Sequence, residues 1–212
     1  MNPVNLANLG RWLFQRRTWL PLPVIAALLL IPEKPFQTPA SVWAGVVVVV
    51  AGEMLRLWAV HHIGVISRTR SERLGPLVTS GPFSSVRNPL YIGNLALWIG
   101  FTIAASINWL LPIVIVLLAF EYHAIVRWEE QLLESRIGDP YRDYLRRVPR
   151  WIPGLPARTA PTVDPGSQTR RSAEGARAVR FSWRETFFSE RGTLVAIAAG
   201  YFLLWVKAFV LM

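Results

Sequence analysis

The chain has 212 residues, 52% of them hydrophobic, with ten tryptophans, no cysteine and a formal net charge of +10. The lack of cysteine excludes a disulfide framework, a thiolate metal site and a cysteine nucleophile. His61, His62 and His123 do not form a metal-ligand pattern such as HExxH, so no metal centre is expected. The apolar residues arrive in long blocks rather than in short periodic stripes, which predicts an all-α, polytopic membrane protein with about five transmembrane helices.

The first block, Trp19 to Ile31, follows Arg16 and Arg17 and predicts a helix over about 17–32. An arginine pair before an apolar run can also begin a signal peptide. No small-x-small cleavage site follows, and Pro32-Glu33-Lys34-Pro35 reads as a tight exit turn, so a retained first span is expected. The second block, ASVWAGVVVVVAGEMLRLWAV at 40–60, predicts a helix over 40–62. The third and fourth blocks predict helices over 89–107 and 109–135, separated almost by Asn108 alone and so folded as a tight antiparallel hairpin. Crossing a bilayer takes roughly 20 apolar residues, which these blocks reach or approach.

The connection 64–88 is rich in Gly, Ser and Arg, with turns at Gly75-Pro76 and Gly81-Pro82, and reads as an ordered or re-entrant loop. Pro89 suits the first turn of the helix that follows, with Asn88 as its N-cap. Gly138-Asp139-Pro140 ends the fourth helix, and YRDYLRRVPRWI at 141–152 is amphipathic and suited to the lipid interface. Residues 154–178 have the composition of a flexible linker, and Gly192 to Met212 forms a last block, predicted as a helix over 190–212.

The positive charge raises the question of nucleic acid. Its distribution instead follows the rule that cytoplasmic connections collect arginine. Arg11, Arg16 and Arg17 precede the first block, Arg68, Arg70, Arg73 and Arg87 precede the third, and nine arginines from Arg146 to Arg184 follow the fourth. The implied topology is N-terminus inside, five spans, C-terminus outside, and no nucleic-acid partner is needed. Arginine-rich, lysine-poor usage hints at a GC-rich bacterial genome, and the expected location is a bacterial inner membrane with the active site facing the cytoplasm.

Polar groups within spans are costly and are functional candidates by default. Glu53 and Arg56, three apart, read as an intrahelical ion pair. Lys207 reads as a side chain snorkelling to the outer interface, and Asn94 as interhelical glue. The fourth helix concentrates Glu121, His123, Arg127, Glu129 and Glu130 in its second half. Taken alone, that run fits a helix end reaching water as well as it fits a site.

Residues 77–93, LVTSGPFSSVRNPLYIG, and 129–153, EEQLLESRIGDPYRDYLRRVPRWIP, supply the context. In that order they resemble the isoprenylcysteine carboxyl methyltransferase family, related to membrane phospholipid methyltransferases. The resemblance covers about residues 74–153. Together with hydropathy and composition it gives expected domains at 1–63 (two N-terminal spans), 64–153 (methyltransferase core), 154–189 (flexible basic linker) and 190–212 (an added span). It also implies S-adenosyl-L-methionine as cofactor, held at the cytoplasmic end of the hairpin by Leu77, Val78, Phe83, Asn88, Pro89, Leu90, Tyr91, Glu129 and Glu130. Glu129 suits the cofactor ammonium, the start of the third helix its carboxylate, and Phe83 its adenine.

Three positions depart from the family pattern. Its RHP histidine is Asn88, a histidine before the LV pair is Gly75, and a substrate-contacting arginine is Ile125. Arg127 lies about 200° round the helix from that position, which leaves Arg87 and Arg127 as the candidate catalytic cations. The expected function is methyl transfer to a lipid-like or isoprenylcysteine-type acceptor entering from the bilayer, with carboxyl O-methylation first. The alternatives are phospholipid N-methylation, or a catalytically lapsed relative acting as a membrane interaction module.

Overall fold

The computed structural model describes residues 3–17, 19–33, 35–64, 77–154 and 182–210, with side chains from residue 8 onward. Gly75, Arg68, Arg70, Arg73 and most of the linker at 154–189 therefore lie outside the described residues. Those residues form helices α1 (Pro3–Arg16), α2 (Leu22–Leu30), α3 (Pro39–Ile63), α4 (Pro89–Ala104), α5 (Leu111–Ile137), α6 (Asp139–Arg147) and α7 (Trp183–Val210). Short 3-10 turns occupy Gly81–Ser84 and Asn108–Leu110, and no strand occurs among the described residues.

Among the described residues three segments are long and apolar enough to cross a membrane: α3, Asn108–Ile137 and α7. α4 is apolar but has 16 residues. The helix expected over 17–32 is instead the nine-residue α2. Proline accounts for the difference. Pro21 and Pro23 have no backbone N–H, so a helix cannot run through them from Arg16, and α2 begins beside them at Leu22. The hairpin holds its expected place, with α4 and α5 joined through residues 105–110.

The chain divides into two compact units. The first comprises Met1–Met54, Tyr91–Gln131 and Arg191–Met212. Within it, α3 and α4 meet through glycines spaced seven apart, Gly45 and Gly52 facing Gly100 and Gly93. A Cβ on Gly45 would lie 2.8 Å from the Gly100 carbonyl oxygen, and one on Gly52 2.9 Å from that of Gly93. Small residues in such positions let helix backbones touch, which is how helices gain packing energy in lipid. α1 lies on α5 in the same way: Gly10 sits against the Ala124 carbonyl, and Leu13 is buried with Ala124 and Ile125.

α7 packs here too, with Gly200 against the Phe101 ring and Tyr201 5.1 Å from it. Lys207 does not snorkel outward. It is buried, and its Nζ donates to the Leu28 carbonyl at 2.7 Å. The cause is the end of α2, whose last carbonyls have no intrahelical partner and need a donor.

The second unit comprises Leu55–Leu90 and Leu132–Glu190. Arg56 pairs with Glu190 of α7 at 2.5 Å, with both side chains largely buried. Its described ion pair is thus interhelical, whereas spacing within α3 had suggested Glu53. One turn further on, His61 stacks on Trp183 at 4.3 Å and its Nδ1 lies 3.4 Å from the Thr186 hydroxyl. α6 buries Tyr141 and Tyr144 with Val148 against Leu77, Leu133 and Ile137, while Arg142 and Arg146 face outward in ion pairs with Glu134, Asp139 and Asp143.

Candidate functional site

The candidate residues fall into two groups, one in each unit. In the second unit the two motif halves are stitched together. The Tyr144 hydroxyl donates to the Phe83 carbonyl at 2.8 Å. The Arg87 N–H donates to the Pro149 carbonyl at 2.9 Å, and the Gly154 N–H to the Ser85 carbonyl at 2.9 Å. Asn88 adds its side-chain amide, which donates to the Arg150 carbonyl at 3.2 Å. The separation between LVTSGPFSSVRNP and YRDYLRRVPRWIP in sequence is therefore closed by hydrogen bonds in space.

Local sequence explains this geometry. Gly81 has φ +62°, a left-handed conformation that glycine reaches without strain, and a Cβ there would collide with the His62 ring. Pro82 follows, and the 3-10 turn Gly81–Ser84 buries Pro82 and Phe83. Gly138, at φ +72°, lets the chain turn from α5 into α6 within one residue. Leu77, Val78 and Leu90 are half-buried, and Pro89 is buried at the first position of α4. Phe83 is buried, with its backbone carbonyl committed to Tyr144. Arg87 is half-buried.

In the first unit the Tyr91 hydroxyl donates to Glu129 Oε1 at 2.9 Å. Tyr91 stands two residues into α4 and Glu129 near the end of α5, so the hairpin brings them together from 38 positions apart. The Tyr122 ring lies 5.2 Å from that of Tyr91. The Tyr91 bond fixes one carboxylate oxygen of Glu129 and leaves acceptor capacity on the group. Glu130 is buried and Arg127 half-buried on the same helix. Ile125, where the family pattern has arginine, is fully buried with Leu13 and Ala124. At that position α5 packs on α1.

Sequence reasoning did not place α1 near these residues. Phe14 of α1 lies 4.9 Å from the Trp128 ring, and Tyr91 packs against the Leu13–Ala124–Ile125 cluster. The Arg17 guanidinium lies 4.2 Å over the Phe14 ring. Phe14 packs on the same cluster as Tyr91, the residue that holds Glu129. The available signal was an arginine, Arg17, directly beyond an apolar stripe of α1, which the motif comparison did not reach.

Comparison with known proteins gives a match over the segment that carries these residues. The phospholipid methyltransferase family matches residues 40–139. The nickel-cobalt-cadmium resistance protein NccN of Alcaligenes xylosoxydans xylosoxydans is 36% identical over 100 residues, covering 47% of this chain and 44% of that protein. The cobalt-zinc-cadmium resistance protein CzcN of Cupriavidus metallidurans is 31% identical over 100 residues, covering 47% of this chain and 43% of that protein. The chain thus spans less than half the length of these relatives. No solved structure matches it. The matched segment contains α3, the hairpin and the Tyr91–Glu129 pair. Residues 40–139 thus match the phospholipid methyltransferase family, in agreement with the motifs' resemblance to the related isoprenylcysteine carboxyl methyltransferases.

Proposed function

We propose that the protein is an S-adenosyl-L-methionine-dependent methyltransferase of a bacterial inner membrane, acting from the cytoplasmic face on a lipophilic acceptor supplied by the bilayer. The observation that carries this reading is the Tyr91–Glu129 hydrogen bond inside the family-matched segment. The donor set fits the group. A carboxylate held by a tyrosine and retaining acceptor capacity suits an ammonium such as that of the cofactor's amino-acid end. When bound, the cofactor supplies an activated, sulfonium-borne methyl group.

The chain's own residues then have three tasks. Glu129 holds the ammonium, and Tyr91 holds Glu129. Arg87 and Arg127 are the cations available to orient an anionic acceptor. A carboxylate acceptor needs alignment and removal of water but no general base. A protonated amine must first lose a proton. The motif resemblance favours the carboxylate. The family description of residues 40–139 favours the second reading, methylation of a phospholipid amine.

The test is transfer of a labelled methyl group from S-adenosyl-L-methionine to lipids by the protein in its own membranes. Carboxyl methylation gives a lipid-extractable product that mild alkali converts to labelled methanol. Amine methylation leaves the label on nitrogen, from which mild alkali releases no methanol. No lipid labelling above that of a Glu129→Ala control would contradict the enzymatic reading and favour a lapsed relative.

A further inference from the structure

The hydrogen bond between Tyr91 and Glu129 places one negative group in the first unit, and α1 brings a positive one to it. Arg17 directly follows α1, half-buried, with its guanidinium 4.2 Å over the Phe14 ring. Phe14 is in turn 4.9 Å from Trp128, the residue beside Glu129. A guanidinium on an aromatic face has fewer rotamers to lose when it meets a ligand. α1 cannot move away cheaply, because Gly10 is in contact with the Ala124 carbonyl and Leu13 is buried against Ala124 and Ile125. One turn before Glu129 on α5 stands Ile125, a fully buried apolar residue and not a cation.

Phe14, beneath the Arg17 guanidinium, packs on the same Leu13–Ala124–Ile125 cluster as Tyr91, whose hydroxyl holds Glu129. Among the described residues no direct ion pair joins Arg17 to Glu129. Opposite charges set near each other but not joined match a ligand that carries both signs on one carbon. The amino-acid end of the cofactor is such a zwitterion, with its ammonium and carboxylate on the same carbon.

Resting on the cofactor reading given above, we infer that Arg17 is a further cofactor-binding residue, which takes the cofactor's carboxylate while Glu129 takes its ammonium. Arg17 lies outside the family-matched residues 40–139. The cofactor site is thus completed by the N-terminal helix, and the guanidinium of Arg17 presents a planar fork suited to a carboxylate.

The test uses the full chain in detergent and two probes: S-adenosylhomocysteine and its decarboxylated analogue, which keeps the amine and lacks the carboxylate. Calorimetry on the wild type, Arg17→Gln and Arg17→Lys gives six affinities. The expected result is that Arg17→Gln weakens S-adenosylhomocysteine by about tenfold or more, leaves the decarboxylated analogue unchanged, and is partly rescued in Arg17→Lys. Equal weakening of both probes would overturn the assignment, because only a general disturbance of the site treats them alike. Unchanged affinity for both would overturn it as well. Failure of the wild type to bind S-adenosylhomocysteine would instead sink the cofactor reading itself, and this assignment with it. The two failures are therefore distinguishable.

Discussion

At the scale of single residues, Tyr91 is a tyrosine rather than a phenylalanine because its hydroxyl has a carboxylate to hold. It donates to Glu129 at 2.9 Å while its ring packs beside Tyr122 and the Leu13–Ala124–Ile125 cluster. Tyr91→Phe keeps that packing and removes one charge-assisted bond, which is worth about 1.5–3 kcal/mol. Some of that loss is recovered if water replaces the hydroxyl. The expected result is a roughly tenfold rise in the cofactor dissociation constant, read by calorimetry, with little change in thermal stability. Asn88 is the opposite case. Its amide is committed to the Arg150 carbonyl, which gives the residue a structural task in joining the motif halves. Its resemblance-based place in the cofactor site and this backbone contact involve different demands, and the contact alone accounts for an uncharged amide there.

Helix elements are held by backbone proximity as much as by side chains. The Gly45, Gly52, Gly93 and Gly100 faces let α3 and α4 touch. A Cβ on Gly100 would lie 2.7 Å from the Gly45 carbonyl oxygen and 2.9 Å from the Val49 nitrogen, both backbone atoms that cannot rotate aside. Gly100→Ala is therefore expected to lower stability by about 1–3 kcal/mol, the usual range for overpacking. Gly192 in α7 is the control, because a Cβ there meets nothing within 4 Å. Gly192→Ala should be neutral or add up to about 1 kcal/mol through helix propensity. Midpoints of thermal unfolding in detergent check the pair: a drop for Gly100→Ala without one for Gly192→Ala supports the contact, and equal behaviour contradicts it.

The elements also show how much the sequence disclosed. Hydropathy located α3, the α4–α5 hairpin and α7 to within a few residues, except that α7 begins at Trp183, seven residues earlier than expected. Its first turns are polar and aromatic, so no hydropathy window registers them, yet Thr186 and Glu190 are buried there against His61 and Arg56. Interhelical pairs of this kind are invisible to spacing rules, which see partners only along one helix. The same limit applied to Arg56, where Glu53 was the visible neighbour and Glu190 is the described partner. Lys207 shows it again, since no sequence rule reports that the Leu28 carbonyl lacks a donor.

For the molecule as a whole, the motif halves were legible because local turns fix them, and the structure closes LVTSGPFSSVRNP onto YRDYLRRVPRWIP within one unit. The Tyr91–Glu129 pairing was legible as two candidates but not as a bond. Arg17 was legible only as an arginine beyond an apolar stripe, because its placement depends on α1 packing across Ala124 and Ile125, a long-range contact. The phospholipid methyltransferase match over residues 40–139 agrees with the motif resemblance. The relatives' names concern metal resistance, and the chain spans less than half of each relative.

The central claim is that this fold holds a cofactor through Glu129, and calorimetric titration of S-adenosylhomocysteine into the detergent-purified full chain tests it most directly, with Glu129→Ala measured beside it. Saturable one-site binding is expected for the wild type, with a loss of about tenfold or more in the variant, the cost of leaving a bound ammonium without its carboxylate. Absence of binding by the folded wild type, or equal affinity in Glu129→Ala, would contradict it.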